Sequence, residues 1–308
     1  MNQLRPARVR VPGSTSNLGA GFDCIGLALD RFLDVTYAPG AAPLTVQRAG
    51  TLTGLDIAAA DDAIVRAFAH ALATRHIAPA GRLLATSTIP LARGMGSSAA
   101  ASVAGLALAA AALGEPFDRD ALLAHAARLE GHPDNAAPAI FGGLVLVATG
   151  EAGEPCAFPL PLSQRIAFVY AAPAVEVSTR HARAVLPGTV PHATAVRGLA
   201  RAAALVRGLA TGDADLLRIG FADELHVPHR LPLIPHANEA RAAALAAGAW
   251  AVTISGSGSG LIAVGPPGSE AHVAQVMAAA FGADRERGVI AFPVKPETEG
   301  VRGLPFDA

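Results

Sequence analysis

The amino-acid sequence predicts an α+β protein built from two halves. Apolar residues make up 52% of the 308 positions and charged residues 16%, a balance that supports a sizeable core and argues against disorder. Strand-like and helix-like segments alternate in both halves without a long parallel repeat, so α+β is favoured. Residues 149–164 are rich in Gly, Pro and acidic residues. The domain boundary is predicted there, giving domains 1–157 and 158–308.

In the first half, residues 13–21 are predicted as a Gly- and Ser-rich loop. Strands are predicted around it and further along, at residues 7–12, 22–29, 33–37, 83–89 and 144–148. Helical spacing predicts three helices, at residues 64–72, 97–113 and 122–129. Asp61 or Asp62 would cap the first of these, and Asp118 or Asp120 the third.

In the second half, four apolar runs predict strands, at residues 166–171, 249–255, 261–264 and 289–294. Helices are predicted between them, at residues 192–210, 213–222, 237–247 and 268–281.

Composition excludes several classes of function. The net charge of −1 argues against a nucleic-acid partner held by general electrostatics. Cys24 and Cys156 have no metal or redox spacing and suit a reducing compartment. Residues 1–11 lack the apolar stretch of a signal peptide, and residues 99–113 are too short and alanine-rich to span a membrane. A soluble, cytoplasmic protein without nucleic-acid or membrane partners is expected.

Residues 90–100, PLARGMGSSAA, form the clearest candidate site. They follow a predicted strand and open a predicted helix. Gly94 and Gly96 let the backbone approach an anion, and the first amides of a helix favour negative charge. Ser97 and Ser98 add hydroxyl groups that can bind phosphate oxygen or a cation. The alternative is an ordinary glycine-rich turn with a serine cap.

This segment matches neither common nucleotide-binding fingerprint. It lacks the spacing of a P-loop, and the only lysine of the chain is Lys295, so no P-loop lysine is available. It also lacks the third glycine of the dinucleotide-binding pattern. Phosphate would be held by amides, hydroxyls, the helix dipole and Arg93.

Glu130 is the carboxylate that the sequence singles out. On a helix it shares the apolar side of Leu123 and Ala126, and a buried charge needs a partner. Mg²⁺ is one natural partner of a carboxylate. The alternative is an exposed glutamate at a frayed helix end.

Several polar loops offer further candidates. Residues 13–23 form either an ordinary Gly/Ser turn or a loop that contacts a small substrate. Residues 131–138 form either a turn with an Asx cap or a loop that presents His, Asp and Asn. Residues 255–260 form a backbone-rich site or a flexible hairpin. Arg183 and Arg230 lie in two separate clusters of charged residues. Each cluster taken alone would be interpreted as solvated surface, but the two arginines together could bind a carboxylate.

Taken together, these segments resemble the GHMP kinases. Three motifs carry the resemblance, at residues 9–29, 90–100 and 255–260. Further segments resemble the branch of the family that acts on homoserine, at residues 130–143, 178–187 and 226–235.

The resemblance implies a fold, a reaction and an assembly. The N-terminal domain would resemble the second domain of ribosomal protein S5, and the C-terminal domain would be ferredoxin-like. The reaction would transfer the γ-phosphate of ATP, with Mg²⁺, to the side-chain hydroxyl of L-homoserine on the route to threonine. A homodimer is expected.

The resemblance also assigns roles to residues. The ATP loop would comprise Pro90, Leu91, Ala92, Arg93, Gly94, Met95, Gly96, Ser97, Ser98, Ala99 and Ala100. Ser98 and Glu130 would hold Mg²⁺. The substrate would meet Asn17, Asp23, Asp134, Asn135, Thr179, Arg183 and Arg230.

The charges suit an amino-acid substrate. Asp23, helped by Asp134, would hold the ammonium group, and Arg183 and Arg230 the carboxylate. Asn135 and Arg183 are the expected catalytic residues. Because Asn135 cannot take a proton, direct in-line attack without a strong base is expected, with the proton passing to phosphate or water.

Three departures from the family pattern stand out. Residues 258–260 read Gly-Ser-Gly where Gly-Pro-Thr is usual, Met95 replaces Leu, and Ala63 replaces an asparagine that contacts adenine in relatives. Two other functions remain open at this point. One is a GHMP kinase for mevalonate-type or sugar alcohols, and the other is a non-catalytic, ligand-binding member.

Overall fold

The computed structural model describes residues 4–282 and 288–306. Within them, the strands of the first sheet are β1 (Ala7–Asn17), β2 (Gly21–Pro43), β3 (Thr45–Gly50), β4 (Ala80–Ser87), β5 (Leu144–Thr149), β6 (Pro155–Leu160) and β11 (Arg302–Leu304). Those of the second sheet are β7 (Ala167–Ala172), β8 (Ala251–Ile254), β9 (Leu261–Gly265) and β10 (Ile290–Val294).

The helices lie between these strands. They are α1 (Ala63–Ala73), α2 (Ser97–Leu113), α3 (Arg119–Glu130), α4 (Ala136–Phe141), α5 (Thr179–Ala184), α6 (His192–Thr211), α7 (Ala214–Phe221), α8 (Val227–Arg230), α9 (Ala237–Ala246) and α10 (Glu270–Ala280).

The long strand β2 organises the first sheet. It pairs antiparallel with β1 and β4, and its first part also pairs with β5, which pairs with β6. Strand β3 runs parallel to β4, and β11 returns from the end of the chain to pair with β1. Of the strands in residues 4–282 and 288–306, this sheet therefore contains both the first and the last.

Helix α2 forms the centre of the first core. Its alanine-rich sequence is apolar on every side, a composition that suits a helix enclosed by other elements, and eleven of its residues are buried. It packs against α1, α3, α4, β1 and β2. The N-terminus of this rigid helix is thereby held at the end of the phosphate-loop candidate.

The neighbouring helices begin at the caps that the sequence predicted. Asp62 accepts a hydrogen bond from the amide of Ile64 at 2.9 Å, and Asp118 accepts one from the amide of Ala121 at 3.0 Å. Helix α3 then ends at Gly131, whose φ of 82° is suited to glycine. The start of α1 and the end of α3 both border the site described below.

The second sheet is antiparallel with the strand order β10-β7-β9-β8. Helices α5 to α9 connect β7 to β8, and α10 connects β9 to β10, which is a β-α-β-β-α-β arrangement. The α+β class and two-part organisation are confirmed.

The polar segment 13–17 is strand, not loop. It continues β1 and pairs with β2, with shifts of register between Pro12 and Gly13 and between Ser16 and Asn17. The side chains of this segment are buried. A hydrophobicity pattern predicts a loop here because the side chains are polar. In the structure these side chains bond to other loops rather than to water, so a buried strand can contain them.

Several short strands and helices show no clear pattern in the sequence. Strands β3, β6 and β11 and helices α4, α5 and α8 were not predicted. A cut after residue 157 would divide β6, which belongs to the first sheet through β5. We therefore propose that the boundary between the two domains lies in residues 161–166, between β6 and β7. Strand β11 belongs to the N-terminal domain, because it pairs with β1.

Candidate active site

A cavity of about 720 Å³ opens between the two halves of the chain. Its walls come from three kinds of surface. The phosphate-loop candidate and the N-terminus of α2 form one wall, apolar side chains near the start of α1 form another, and charged side chains of both halves form the third. The charged wall contains Asp23, Asp134, Arg183 and Arg230.

The three sequence motifs meet through their backbones at this cavity. The amide of Ser14 donates to Met95 O at 3.2 Å, and the amide of Gly256 donates to Ser16 O at 3.2 Å. The Ser255 hydroxyl lies 2.6 Å from Gly94 O. Segments up to 240 residues apart thus form one framework, and the 255–260 turn is held in place.

Two glycines of the loop are required by this packing. Gly94 has a φ of +75°, and a Cβ atom there would lie 2.0 Å from Ser255 O. Gly96 has a φ of +64°, and its Cβ would lie 2.2 Å from Ser14 Oγ. Gly94 combines a left-handed backbone with a close contact to a backbone carbonyl that a Cβ atom would exclude. At Gly96 the left-handed backbone favours glycine, and a Cβ atom would displace the Ser14 hydroxyl from its bond to Asn135.

Most of the predicted ATP loop faces the cavity, but not all of it. The lining members are Leu91, Ala92, Gly94, Gly96, Ser97, Ser98 and Ala99. Pro90, Met95 and Ala100 are buried away from the cavity wall.

The position of Arg93 differs from the expectation that its side chain helps to hold phosphate. Its guanidinium donates to Gly288 O at 2.5 Å and to Ala174 O at 3.5 Å. The side chain therefore fastens the loop to the second half and lies outside the cavity lining. Phosphate binding would depend on the amides, the hydroxyls and the helix N-terminus.

The two predicted magnesium ligands lie together. The Ser98 hydroxyl donates to Glu130 Oε1 at 3.1 Å, and the Ser102 hydroxyl donates to the same oxygen at 2.6 Å. A carboxylate and a hydroxyl are hard oxygen donors that fit Mg²⁺, which proteins usually bind with few side chains plus substrate phosphates. In keeping with this, the described residues contain no cluster of three His, Cys, Asp or Glu suited to a metal.

Ser102 is a site residue that the sequence analysis missed. It lies four residues after Ser98 on α2, so both hydroxyls are on one face of the helix. That spacing was the available signal.

The two asparagines serve mainly as braces. Asn17 accepts from the amide of Asp23 at 2.9 Å and donates to Gly256 O at 2.8 Å. Asn135 accepts from the Ser14 hydroxyl at 3.0 Å and donates to Ser16 Oγ at 2.8 Å. Both side chains engage their carbonyl and amide groups in the framework and also line the cavity, so their contact with a substrate stays a prediction.

His132 and Asp134 form a pair on the cavity wall. His132 Nδ1 lies 2.9 Å from Asp134 Oδ1, and the amide of Asn135 donates to the same oxygen at 3.0 Å. Hydrogen bonding to Asp134 raises the pKa of His132. Burial acts to raise the pKa of Asp134, but His132, Ser16 and Arg183 outweigh it and lower that pKa. The histidine favours its cationic form and the aspartate its anionic form.

Asp23 and Arg183, expected to grip opposite ends of a substrate, bind each other. The guanidinium donates to both carboxylate oxygens, at 2.8 and 2.9 Å. The hydrogen bonds raise the pKa of Arg183. Because both side chains are more than one-third exposed, this bidentate pair faces solvent and can exchange partners.

Arg230 is buried and held from three sides. Its Nε donates to Ala182 O at 3.0 Å, its guanidinium lies 5.0 Å from the Phe22 ring centre, and Nη1 lies 3.5 Å from His226 Nδ1. Burial, followed by the charge of Arg183, lowers the pKa of Arg230.

His226 links Arg230 to the first motif. Its ring stacks on Phe22 at 4.8 Å, and Nε2 lies 3.1 Å from Gly19 O, so Nε2 must carry the proton that is donated. Burial lowers the pKa of His226 to about 4. The ring is therefore neutral near pH 7 and leaves Nδ1 as an acceptor facing Arg230.

Thr179 and Ala63 also border the cavity. Thr179 Oγ1 lies 3.2 Å from Ser257 Oγ, which joins α5 to the third motif. Ala63 begins α1 beside the apolar wall and offers no side-chain hydrogen bond.

The comparisons with known proteins agree with this geometry. Residues 62–143 match the model of the GHMP kinases N-terminal domain, and residues 203–284 match that of the GHMP kinases C-terminal domain. The chain belongs to the GHMP kinase family and is a phosphotransferase.

Within that family it groups with the homoserine kinases. It is 41% identical to a homoserine kinase of Thermus thermophilus, over 89% of this chain and 92% of the relative. It is 42% identical to homoserine kinase of Gloeobacter violaceus, with the same coverage. The crystal structure of homoserine kinase from Cytophaga hutchinsonii is 28% identical, covers 97% of each chain and superposes with a TM-score of 0.85.

None of the helices in residues 4–282 and 288–306 combines the length and apolar character needed to span a membrane.

Proposed function

We propose that this enzyme transfers the γ-phosphate of ATP to the side-chain hydroxyl of L-homoserine and yields O-phospho-L-homoserine, an intermediate of threonine biosynthesis. The observation that carries the proposal is that one cavity joins two kinds of surface. It joins a glycine-rich loop at the N-terminus of α2 to a wall with two carboxylates and two guanidinium groups. Such a wall complements an amino-acid zwitterion, and the relatives named above are homoserine kinases.

The triphosphate would lie against the start of α2. The free amides and dipole of a buried helix favour an anion there, and the hydroxyls of Ser97 and Ser98 lie at the same end. Ser98 and Glu130 would hold Mg²⁺. When bound, that ion would neutralise charge on the phosphates during transfer.

The amino acid would bind at the charged wall. Arg230 is positioned by Phe22, His226 and Ala182, so it offers a fixed cation for the carboxylate. Asp134 is a buried anion for the ammonium group. Asp23 and Arg183 would exchange part of their mutual contact for the substrate's ammonium and carboxylate groups.

The reaction would proceed by in-line attack without a strong base. A good general base has a pKa near the working pH. The pKa of Asp134 is lowered, which makes its carboxylate a weak base, and His132 Nδ1 is engaged with that carboxylate at 2.9 Å. Asn135 cannot accept a proton and is bound between two serines. The hydroxyl proton would therefore leave to phosphate or water, and positioning would provide most of the catalysis.

A coupled ADP-release assay with homoserine, threonine, mevalonate and galactose tests this proposal. We expect the highest kcat/KM with homoserine. Replacing Arg230 with Met should raise the KM for homoserine about 100-fold or more, because a charged hydrogen-bonding partner is lost. Arg75→Met removes an exposed arginine from an outlying ion pair and is the matched control.

Two results would contradict the proposal. Preference for mevalonate or galactose would indicate a different acceptor. ATP binding without turnover of any acceptor would indicate a non-catalytic member of the family. The cytoplasmic location and the homodimer stay predictions, and size-exclusion chromatography with light scattering measures the latter.

A further inference from the structure

The apolar wall of the cavity contains one buried ion pair. Leu52, Leu55, Ile57, Ile64, Ala67, Ile89 and Leu91 form the apolar surface. Arg48 on β3 and Asp62 before α1 lie among them, with side chains only 14% and 7% exposed. Charged groups this well buried need a structural or functional reason.

By elimination, this wall faces the nucleobase. The triphosphate occupies the start of α2 and the amino acid occupies the charged wall, if the proposed function holds. The remaining surface is apolar and suits the faces of a base. Among the described residues that line the cavity, His132 is the only one with an aromatic ring, and it lies on the charged wall. A base at the apolar wall therefore has no stacking partner, and polar contacts must orient it.

Arg48 has a donor to spare. Its Nη2 donates to Asp62 Oδ2 at 2.7 Å and to Ile57 O at 3.4 Å, and its Nε donates to Asp62 Oδ2 at 3.2 Å. Within the described ranges, Nη1 has no hydrogen-bond partner. Asp62 is more fully used, because Oδ2 receives Arg48 and Oδ1 caps α1 through Ile64.

The other residues at this wall are less suitable as hydrogen-bond donors to a base. Ala63 contributes only a methyl group. Ser87 Oγ accepts from the amide of Ile89 at 3.0 Å, and its one remaining O–H is a single neutral donor, weaker than a charged guanidinium. Arg66 is exposed on α1 and has no described side-chain hydrogen bond that would fix its position. Arg48 is the donor that the fold holds rigidly.

We propose that Arg48, positioned by Asp62, recognises the nucleobase by donating from Nη1 to acceptor atoms on a purine edge. Adenine presents an acceptor at N7, and guanine presents acceptors at N7 and O6. A site that offers donors to this edge does not reject guanine. The enzyme therefore uses GTP alongside ATP.

Calorimetric titration of the full chain with the non-hydrolysable analogues AMP-PNP and GMP-PNP, in the presence of Mg²⁺, tests this inference. Arg48→Met should weaken AMP-PNP binding about tenfold or more, the usual effect of losing a hydrogen bond from a charged group. Arg48→Lys keeps the charge beside Asp62 and should also weaken binding, which guards against misfolding of the Met variant. Wild type should bind GMP-PNP within about tenfold of AMP-PNP.

Two further variants complete the design. Arg75→Met, in the exposed pair with Glu115, should leave both affinities unchanged. Arg66→Met tests the competing arginine. Steady-state kinetics should show a raised KM for ATP in the Arg48 variants, with the KM for homoserine unchanged.

The inference is overturned if folded Arg48→Met binds AMP-PNP as wild type does. It is also overturned if only Arg66→Met weakens binding, or if GMP-PNP binds more than about tenfold more weakly than AMP-PNP. Because calorimetry needs no acceptor, nucleotide binding without phosphorylation of homoserine would reject the proposed function and leave Arg48 testable. Absence of nucleotide binding by wild type would reject both.

Discussion

At the scale of the residue, the site depends on backbone shapes that few side chains permit. Asn17 and Asp23 both have positive φ angles, 74° and 57°. Such conformations persist when surrounding contacts enforce them. Here the Asn17 side chain bonds to the amide of Asp23 and to Gly256 O, so one asparagine fixes the backbone from which a cavity-lining carboxylate extends.

Gly96→Ala should disrupt the phosphate-loop candidate. The new Cβ would meet Ser14 Oγ in a left-handed backbone, and we expect the free energy of unfolding to fall by about 2 kcal/mol or more. ATP affinity should fall as well. Gly54→Ala is the matched control, since Gly54 has a φ of +82° but no atom within 4 Å of the place that an added methyl group would take. Urea denaturation measures both variants, and equal losses would contradict the clash.

His226→Gln should change how stability depends on pH. His226 has a folded-state pKa of about 4, lowered by burial from its ordinary value near 6.5. Between these values the unfolded chain binds more protons, so acidification from about pH 6.5 toward 4 destabilises the native state. This residue should contribute about 3 kcal/mol of that loss.

Denaturant melts of both proteins across pH 4 to 7 measure the effect. The Gln variant should show a shallower decline at acidic pH. Parallel curves would show that His226 is not a buried neutral histidine. A raised KM for homoserine in the variant would further indicate that the ring positions Arg230.

At the scale of the element, two helices meet at the proposed cation site. Ser98 and Ser102 lie on one face of α2, and Glu130 is the last residue of α3. Both helices are anchored away from the cavity by apolar packing around Ala126 and Leu123. The distance between hydroxyl and carboxylate is therefore set by helix packing rather than by a flexible loop.

Glu130→Gln should preserve the fold and impair the reaction. The amide oxygen can still accept from Ser102, so the melting temperature should change little. The lost charge should reduce kcat/KM about 100-fold or more and shift the Mg²⁺ requirement to higher concentration. Glu115→Gln, in an exposed ion pair, is the control. An unaltered Mg²⁺ dependence would exclude Glu130 as a ligand.

At the scale of the whole molecule, the end of the chain fastens the first sheet. Glu297 donates its amide to Ala28 O and accepts from the amide of Gly143, and β11 pairs with β1. Val301 is fully buried in the first core. The chain therefore closes on itself, so the first sheet should not unfold independently of its C-terminal strand.

Val301→Ala should lower the free energy of unfolding by about 2 kcal/mol through the cavity it leaves. Strand β11 and the first sheet should unfold together, because the C-terminal segment and the first sheet share one core. Val190→Ala, at an exposed valine, should have little effect. Denaturant unfolding followed by circular dichroism measures the loss of stability, and native-state hydrogen exchange follows the amides of β1 and β11. Loss of protection in β11 at a lower denaturant concentration than in β1 would contradict the coupling.

The sequence by itself determined the local features of this protein. Helices α1, α2 and α3, the caps at Asp62 and Asp118 and the glycine-rich loop before α2 follow from patterns within a few residues. The sequence also suggested that Glu130 has a partner, because an acidic residue on the apolar side of a helix needs one, and Ser98 and Ser102 donate to it. Its role as a magnesium ligand stays a prediction.

The tertiary structure alone decided which side chains face the cavity. The Arg93 side chain bonds to Gly288 O outside the cavity, and Asn17 and Asn135 bond to neighbouring loops. Asp23 pairs with Arg183, and β11 pairs with β1. These outcomes depend on contacts between segments 80 to 300 residues apart. Local periodicity contains no information on such partners, since a polar residue has the same pattern whether it bonds to a distant loop or to water.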